Sequence, residues 1–587
     1  MCNQIKLIDI EELDKKLNDV IDSRFDEPTY DDALKYRSFI TDILTTNDSL
    51  DSLKRKHRFY TKNSYLYKCF KLMILDYTDE DHVIIRNRLK VKKVKSHSGI
   101  VSITIFTSAY PEYIKNGTKY KNNFSCKWDC AYCPNEPGQP RSYLKGEPGV
   151  LRANRNNFDC VSQMHDRMTT LYNNGHELDK LEVLVLGGTW ESYPLEYRYE
   201  FIRDMYYAAN IFPNSIATSR DRMSMENERD LNCYSKCKVI GLTLETRPDT
   251  INSDSLKLLR FYGCTRVQLG IQHLDDNILR HINRGCLTLS TINAIKLLKN
   301  NGFKVDGHWM PNLPGSDISL DERMFFDMLL NVKSKVYDKK TGNEKWDLVC
   351  PEFQVDQWKL YPCTVVPFTK IEEWYKNNTY IPYSWDLLTD LLLKVKSLIF
   401  PWIRLNRIIR DIPCTYSLNS EYDSGLRGSL SDMLNADGLS CQCIRCREIK
   451  ERSYNENYRV ITREYNASDG IELFIEAQHE NILYGFCRLR YNPEYNDIFP
   501  ELNGCTMIRE LHVYGNLLPV GDSGKSCNTQ HKGIGRILVN HAVSLTKKRF
   551  KLSGISVISG EGTREYYKKL GFKHSYSNKG RFLIKEC

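Results

Sequence analysis

The chain has 587 residues, enough for several domains with sizeable cores, and its 27% charged and 41% hydrophobic residues are an ordinary globular balance. No apolar stretch reaches the roughly 18 residues of a membrane helix, and the opening MCNQIKLIDIEELDKK lacks the basic-then-apolar order of a secretory signal. Twenty cysteines are therefore expected in a reducing, cytoplasmic setting, as free thiols or metal ligands rather than disulfides, and no membrane partner is expected.

The net charge of +9 is unevenly spread. Residues 1–50 carry 6 Lys/Arg against 12 Asp/Glu, and residues 51–100 carry 13 against 5. Residues 1–95 read as helical and polar. The basic stretches LKRKHRFYTK (Leu53–Lys62) and RNRLKVKKVK (Arg86–Lys95) interleave cations with Phe59 and Tyr60. That composition suits a nucleic-acid backbone, and equally a solvated helical face.

From Gly99 the pattern changes to short apolar runs that alternate with amphipathic stretches. The runs are GIVSITIFTS (99–108), LEVLVLGG (181–188), SIATS (215–219), VIGLTLET (239–246), RVQLGIQ (266–272) and KVDGHWMP (304–311). Before the last comes TLSTINAIKLLKNNG, where Ser290 can cap, Ile292, Ile295 and Leu298 share a face, and Gly302 can terminate. Such alternation predicts parallel βα units closed or partly closed into a barrel over residues 96–405. A cysteine-dense linker follows at 406–457. From residue 458 to 587 the runs read as antiparallel strands and a helix, a compact α+β module.

Cys126, Cys130 and Cys133 form a Cys-x3-Cys-x2-Cys loop directly after the first apolar run. A structural zinc takes four ligands. Three thiolates instead leave one iron of a 4Fe–4S cluster without a protein ligand, where the amino and carboxylate groups of S-adenosylmethionine can bind. A zinc site completed from elsewhere and a set of free thiols are the rival readings. With the strand context, the loop resembles the radical S-adenosylmethionine superfamily. The resemblance implies that Gly187, Gly188 and Thr189, at the end of the next strand, border the cofactor.

QHKGIG (Gln530–Gly535) precedes an amphipathic helix, so that successive backbone amides could cradle a pyrophosphate. With GTREYYKKLGF downstream, the order resembles the GNAT acetyltransferase fold, which binds acetyl-CoA. IRELHVYG (Ile508–Gly515) would be the strand that splays from its neighbour and offers backbone groups to the pantetheine.

Together the two modules resemble the family of Elongator catalytic subunits, tRNA wobble-uridine modification enzymes. The likeness runs from about Lys90 to the C-terminus through SYLKGEP, LDKLEVLVLGGT, GLTLETRPD, NRG, KLYP, RIIRDIP, RELHVYG, QHKGIG and VISGEGTREYYKKLGF. It implies an α/β radical S-adenosylmethionine partial (β/α) barrel followed by an α+β GNAT domain. The implied reaction abstracts hydrogen from the acetyl methyl of acetyl-CoA, adds that carbon to C5 of uridine 34, and hydrolyses the thioester to leave 5-carboxymethyluridine. By the same resemblance Cys126, Cys130 and Cys133 ligate the 4Fe–4S cluster. Lys180, Glu510, Leu511, His512, Val513, Gln530, Gly533, Ile534, Gly535, Arg536 and Tyr567 contact acetyl-CoA, with Tyr566 a weaker candidate. Cys441, Cys443 and Cys446 are candidate zinc ligands, with Cys363, Cys414 or a histidine as the fourth; free thiols are the alternative. Implied partners are the tRNA anticodon loop, an electron-donor protein, and Elongator-like subunits or a second copy in a homodimer. Three departures from the family pattern, CPNEP (Cys133–Pro137) in place of a Gly-Gly after the third Cys-Pro, His273 and Cys286, are expected to alter the cavity lining. A lysine acetyltransferase with a structural barrel and a non-catalytic tRNA scaffold are the competing functions.

Overall fold

The computed structural model describes residues 27–92, 98–124, 126–419, 425–515, 532–575 and 580–587, and the chain divides into two compact units. No helix among the described residues is long and apolar enough to cross a membrane. One unit comprises residues up to 94 together with 168–177. Its helices are Tyr30–Leu34, Arg37–Thr45, Leu50–Lys56, Asn63–Leu72 and Asp79–Leu89. Thr29 with Asp32, and Thr78 with Asp81, form reciprocal capping boxes that satisfy free amides at two of the helix starts. The apolar faces meet at Phe39, Ile40, Leu53, Leu66, Phe70 and Ile85. The two aromatics of the basic stretch part company here. Phe59 packs edge-on against Tyr36 and Phe39, while Tyr60 is 92% exposed.

The second unit holds two large sheets. The first uses β1 (Val101–Phe106), followed in sequence by a small hairpin of β2 (Glu112–Lys115) and β3 (Thr118–Lys121), then β4 (Lys180–Leu186), β5 (Lys238–Thr246), β6 (Arg266–Gln272) and β7 (Lys304–Trp309). After an excursion through β8 (Val332–Tyr337) and β9 (Glu344–Leu348), β10 (Gln357–Leu360) and β11 (Arg404–Arg407) complete it. The order is β1-β4-β5-β6-β7-β10-β11, all parallel, with helices such as Leu195–Ile211, Ser253–Phe261 and Thr288–Asn300 in the crossovers. Five of the six expected strands are present. SIATS is instead one helical turn, Ile216–Thr218, in an exposed segment with a single large apolar side chain to bury. The helix expected to start at Ser290 starts at Thr288, with Leu287 as its N-cap residue.

The second sheet continues with β12 (Arg459–Ala467), β13 (Gly470–His479), β14 (Ile482–Tyr491), β15 (Cys505–Val513), β16 (Gly554–Val557), β17 (Lys573–His574) and β18 (Leu583–Glu586). Its order is β17-β18-β16-β15-β14-β13-β12-β9-β8. The β8–β9 hairpin belongs by sequence to the stretch read as barrel, yet β9 pairs in parallel with β12 and extends the C-terminal sheet. β15 pairs with β16 only from Cys505 to Ile508, while on its other side it stays with β14 as far as Val513. The two parallel strands therefore part after Ile508.

Charged groups and glycines join the sheets. Arg509 of β15 reaches Asp356, just before β10, at 2.5 Å and Glu472 of β13 at 3.0 Å; all three side chains are fully buried. Lys299 stands 3.4 Å from Glu472, and Arg488 donates to Glu510 at 2.9 Å and to the Trp402 carbonyl at 2.7 Å. Burial alone would raise the Asp356 carboxyl, but Arg509, Lys299 and Arg488 outweigh it and hold it well below the carboxylate range. At the other end of the joint, Gly560 and Gly562 lie on β5. A Cβ on Gly560 would stand 2.1 Å from the Ile240 carbonyl oxygen, and one on Gly562 2.6 Å from Lys238 Cβ. Between them Glu561 is fully buried and accepts from Arg581 at 2.9 Å.

Arg509→Met removes the shared cation of two buried carboxylates, leaving Asp356 to Arg488 and Glu472 to Lys299 and Arg490, and should lower unfolding free energy by about 3 kcal/mol. Arg549→Met removes the half-exposed pair with Glu464 and should cost at most about 1 kcal/mol. Urea denaturation of both variants checks the contrast.

Candidate functional site

A 610 Å³ cavity is walled by inward side chains of both sheets. Cys126, Cys130 and Cys133 stand on it, as do Gly188 and Thr189 after β4, Glu182 of β4, Arg266 of β6, Asp306 and His308 of β7, and Glu510, His512 and Tyr514 at the end of β15. The inward positions of β6, β7 and β10 alternate with period two and are polar: Arg266 and Gln268, Asp306 and His308, Gln357 and Lys359.

The cysteine loop is tied to the segment after the helix Asp276–His281. Ala131 N–H donates to the Ile282 carbonyl at 2.9 Å, and Asn283 Nδ2 donates to the Asp129 carbonyl at 2.9 Å. Gly285 has φ +60°, and a Cβ there would stand 2.4 Å from the Trp128 ring, so the NRG glycine makes room for the indole. Cys126 Sγ is 3.5 Å from Thr189 Oγ1. Cys130 Sγ receives Arg247 Nη1 and Arg284 Nη1, each at 3.7 Å. Burial and the neighbouring Cys130 push the Cys133 thiol up to about 11, against the opposing pull of Arg141. Gly187 and Gly188 have φ +134° and +101°. A Cβ on Gly187 would stand 2.0 Å from Thr107 Oγ1, so this strand end accepts only glycine. The other family stretches converge nearby. Tyr143 donates to Glu245 at 2.7 Å, and Arg410 binds Glu147 at 2.7 Å while lying over the Tyr143 ring.

Outside the cavity wall, Gly533 (φ +80°) is the N-cap residue of the helix Ile534–Lys548. The first-turn amides of Ile534, Gly535 and Arg536 have no intrahelical acceptor, as at any helix start. A Cβ on Gly535 would stand 2.6 Å from the Tyr566 hydroxyl and 3.7 Å from Val513 Cγ2. Tyr566, the weaker of the two tyrosine candidates by sequence, is thus the one against this turn, and burial pushes its hydroxyl up to about 12. Tyr567 packs into the core against Phe572. Along β15 the alternation sends Glu510 and His512 to the cavity, while Val513 meets the helix; Leu511 holds the same register side as Val513. His512 Nε2 donates to the Ser98 carbonyl at 2.7 Å. Arg266 bridges Glu182 at 2.5 Å and Glu510 at 3.6 Å. Lys180 opens β4 and is not part of the cavity wall; burial lowers its ammonium pKa. Gln530 lies outside the described residues.

Cys441, Cys443 and Cys446 have sulfurs all within 4.8 Å of one another, close to the about 3.8 Å expected around one tetrahedral zinc with 2.3 Å bonds. No histidine, cysteine or carboxylate joins them among the described residues, so neither proposed fourth ligand is in place. Cys363 is buried among Ile278, Leu279 and Val365, and Cys414 sits exposed in a turn. Cys126, Cys130 and Cys133 do not meet the 4.8 Å spacing, as suits thiolates that each bind a separate iron. The expectation that His273 and Cys286 line the cavity is not met. His273 donates to Asp321 at 3.0 Å and accepts from the Asp275 amide at 2.9 Å, and both residues are buried behind the wall. Arg247, Arg284, Arg266, Glu182 and Asp306 were not singled out from sequence. Their signal is a charged residue within an otherwise apolar strand, or an arginine in a strand-end loop.

Residues 124–319 match the Radical SAM superfamily, and residues 355–433 match the Radical_SAM C-terminal domain. The tRNA uridine(34) acetyltransferase of Methanocaldococcus jannaschii is 33% identical over 526 residues, which span 87% of this chain and 90% of that protein. Elongator complex protein 3 of Homo sapiens is 31% identical over 86% of this chain and 87% of its own length. Among solved structures, the archaeal Methanocaldococcus infernus Elp3 with an N-terminal deletion (1–46) matches with a TM-score of 0.66 and 30% identity, covering 84% of this chain and 100% of that one.

Burial raises the Glu510 carboxyl, but Lys304, Arg488 and Arg266 outweigh it and hold it at about 2. A depressed folded pKa contributes stability above the unfolded value of 4.5, and loses it as pH falls towards 2. The wild-type urea midpoint should therefore drop more steeply over that window than that of Glu510→Gln. Gly535→Ala should cost about 1–3 kcal/mol by crowding Tyr566, and less in a Tyr566→Phe background. A double-mutant cycle reads the coupling.

Proposed function

This chain belongs to the tRNA uridine(34) acetyltransferase family, which includes Elongator complex protein 3, and on that premise we propose that it is a radical S-adenosylmethionine enzyme that converts the wobble uridine of tRNA to 5-carboxymethyluridine with acetyl-CoA. The observation that carries the reading is the single cavity that runs from the three-cysteine loop to the parted end of β15. C5 of uridine and an acetyl methyl are both carbons that ordinary acyl transfer leaves unjoined, so a radical source and an acetyl carrier must open on one space.

Cys126, Cys130 and Cys133 would hold a 4Fe–4S cluster, with Gly187, Gly188 and Thr189 beside S-adenosylmethionine. Gln530, Gly533, Ile534, Gly535 and Arg536, with Glu510 to Val513, Lys180 and Tyr567, would hold acetyl-CoA, with Tyr566 beside the helix start at Gly535. The donors fit these groups: three cysteines in one loop, the middle one met by two guanidiniums, and first-turn amides at a helix start with no Cβ in the way. When bound, the groups supply one-electron chemistry and the carbon that is transferred. The residues of the chain do the rest. The first-turn amides would donate to a pyrophosphate, β15 beyond its parting from β16 would face an amide-bearing arm, and the cavity walls would exclude bulk water. Cys441, Cys443 and Cys446 would hold a structural zinc. Residues 1–95 are the proposed tRNA-binding region, ahead of the barrel (96–405), linker (406–457) and GNAT domain (458–587). A one-electron donor protein, and Elongator-like subunits or a second copy, are the proposed protein partners.

The test is nucleoside analysis of tRNA after anaerobic incubation of the reconstituted full chain with S-adenosylmethionine, acetyl-CoA and a reductant. The expected product is 5-carboxymethyluridine, lost to background in Cys130→Ser. Continued product from that variant rejects the assignment of the loop, and acetylation of lysine peptides without reductant points to the acyltransferase alternative. Cys443→Ser should lose about one equivalent of bound zinc, measured by metal analysis, while the iron content stays unchanged.

A further inference from the structure

The ETRPD and NRG stretches supply no cysteine to the loop, yet each places an arginine on the same sulfur. Arg247 follows β5 and Arg284 follows the helix Asp276–His281; they are 4% and 5% exposed. Both guanidiniums are held from behind. Arg247 Nε donates to Asp249 Oδ1 at 2.8 Å and its Nη2 to the Arg284 carbonyl at 2.6 Å. Arg284 Nη2 donates to the Gly270 carbonyl. What remains of each fork, Nη1, points at Cys130 Sγ from 3.7 Å.

The charge count makes the contact significant. Arg247 has Asp249 as its counter-ion, but Arg284 forms no ion pair with a carboxylate among the described residues, and its Nε has no acceptor. An isolated buried cation is strongly disfavoured unless an anion lies within reach. The acidic group that Arg284 touches directly is Cys130, or whatever negative group it ligates, while the Asp249 carboxylate, paired with Arg247, acts on it only at longer range. The other two cysteines are served differently. Cys126 meets the neutral Thr189 hydroxyl, and Arg141 beside Cys133 is neutralised by Asp129. The loop is therefore electrostatically lopsided, with its positive charge concentrated on the middle ligand.

We propose that Arg284 and Arg247 are positioning residues that set the reduction potential of an iron–sulfur group bound through Cys130. Hydrogen bonds and positive charge at a ligand sulfur stabilise the reduced, more negative form of such a group and raise its potential. Arg284, the uncompensated cation, carries the larger share. This rests on the cluster reading of the three cysteines.

The experiment compares anaerobically reconstituted full-length wild type, Arg284→Met, Arg284→Lys and Arg247→Met. Iron per chain and the midpoint potential, from redox titration followed by electron paramagnetic resonance, are measured. The expected result is full iron loading throughout, with the Arg284→Met midpoint clearly more negative than wild type. Arg284→Lys, which keeps the charge but not the fork, should fall between, and Arg247→Met should shift less than Arg284→Met. Loaded variants that keep the wild-type potential overturn the proposal and leave the cluster reading standing. Loss of iron from the Met and Lys variants alike also overturns it, because the arginines then serve only to fold the loop. A wild type that takes up no iron overturns the cluster reading, and this proposal with it.

Discussion

Arg509, clamped between Asp356 and Glu472, fixes one sheet against the other. Everything proposed for this chain requires two ligand-binding ends to open on one cavity at constant separation. An apolar joint could slide, because burial is non-directional. A buried guanidinium with two carboxylates has one satisfactory geometry, and displacement strands charges in a low dielectric. Lys299, Arg488 and Glu510 extend the same constraint towards the cavity, where Arg266 hands it on to Glu182 of β4. The ion network of the joint and the polar lining of the site are thus one continuous system.

That continuity explains why the barrel interior is polar. A closed barrel of ordinary stability fills its centre with branched apolar side chains. Here Gln268, Asp306 and Lys359 occupy such positions, and Gln268 Oε1, Asp306 Oδ1 and His308 Nε2 are buried without a partner. Unpaired buried polar atoms are costly, so their concentration on one wall marks a space shaped for a polar guest rather than for packing. Burial and nearby cations keep His308 well below its ordinary pKa, which leaves a neutral imidazole facing that space.

Legibility in the sequence followed the same division. Strands β4 to β7 and β12 to β15 were visible because their apolar residues alternate or run together, and the three cysteines and Gly533-x-Gly535 were visible because few backbones need that spacing. β10 and β11 were missed because QWKL and RLNR turn polar side chains to the cavity and lose the apolar signal. The arginines on Cys130 were hidden for a different reason. Arg247 and Arg284 reach it from positions 117 and 154 residues away, a proximity that only the sheet order creates. That Tyr566 is the tyrosine against Gly535 likewise depends on which face of a six-residue helix meets that glycine.

The β8–β9 hairpin leaves the barrel segment to become the outer strands of the C-terminal sheet. The boundary in sequence is therefore not a boundary in hydrogen bonding. A fragment cut before β12 would carry the acetyltransferase-like fold with a raw edge along Arg463–Tyr465, an invitation to pair with another chain. The complementary fragment would keep a hairpin with nothing to lean on. The two modules are therefore joined through shared strand hydrogen bonds as well as through the chain, and neither keeps its native sheet edges when cut from the other.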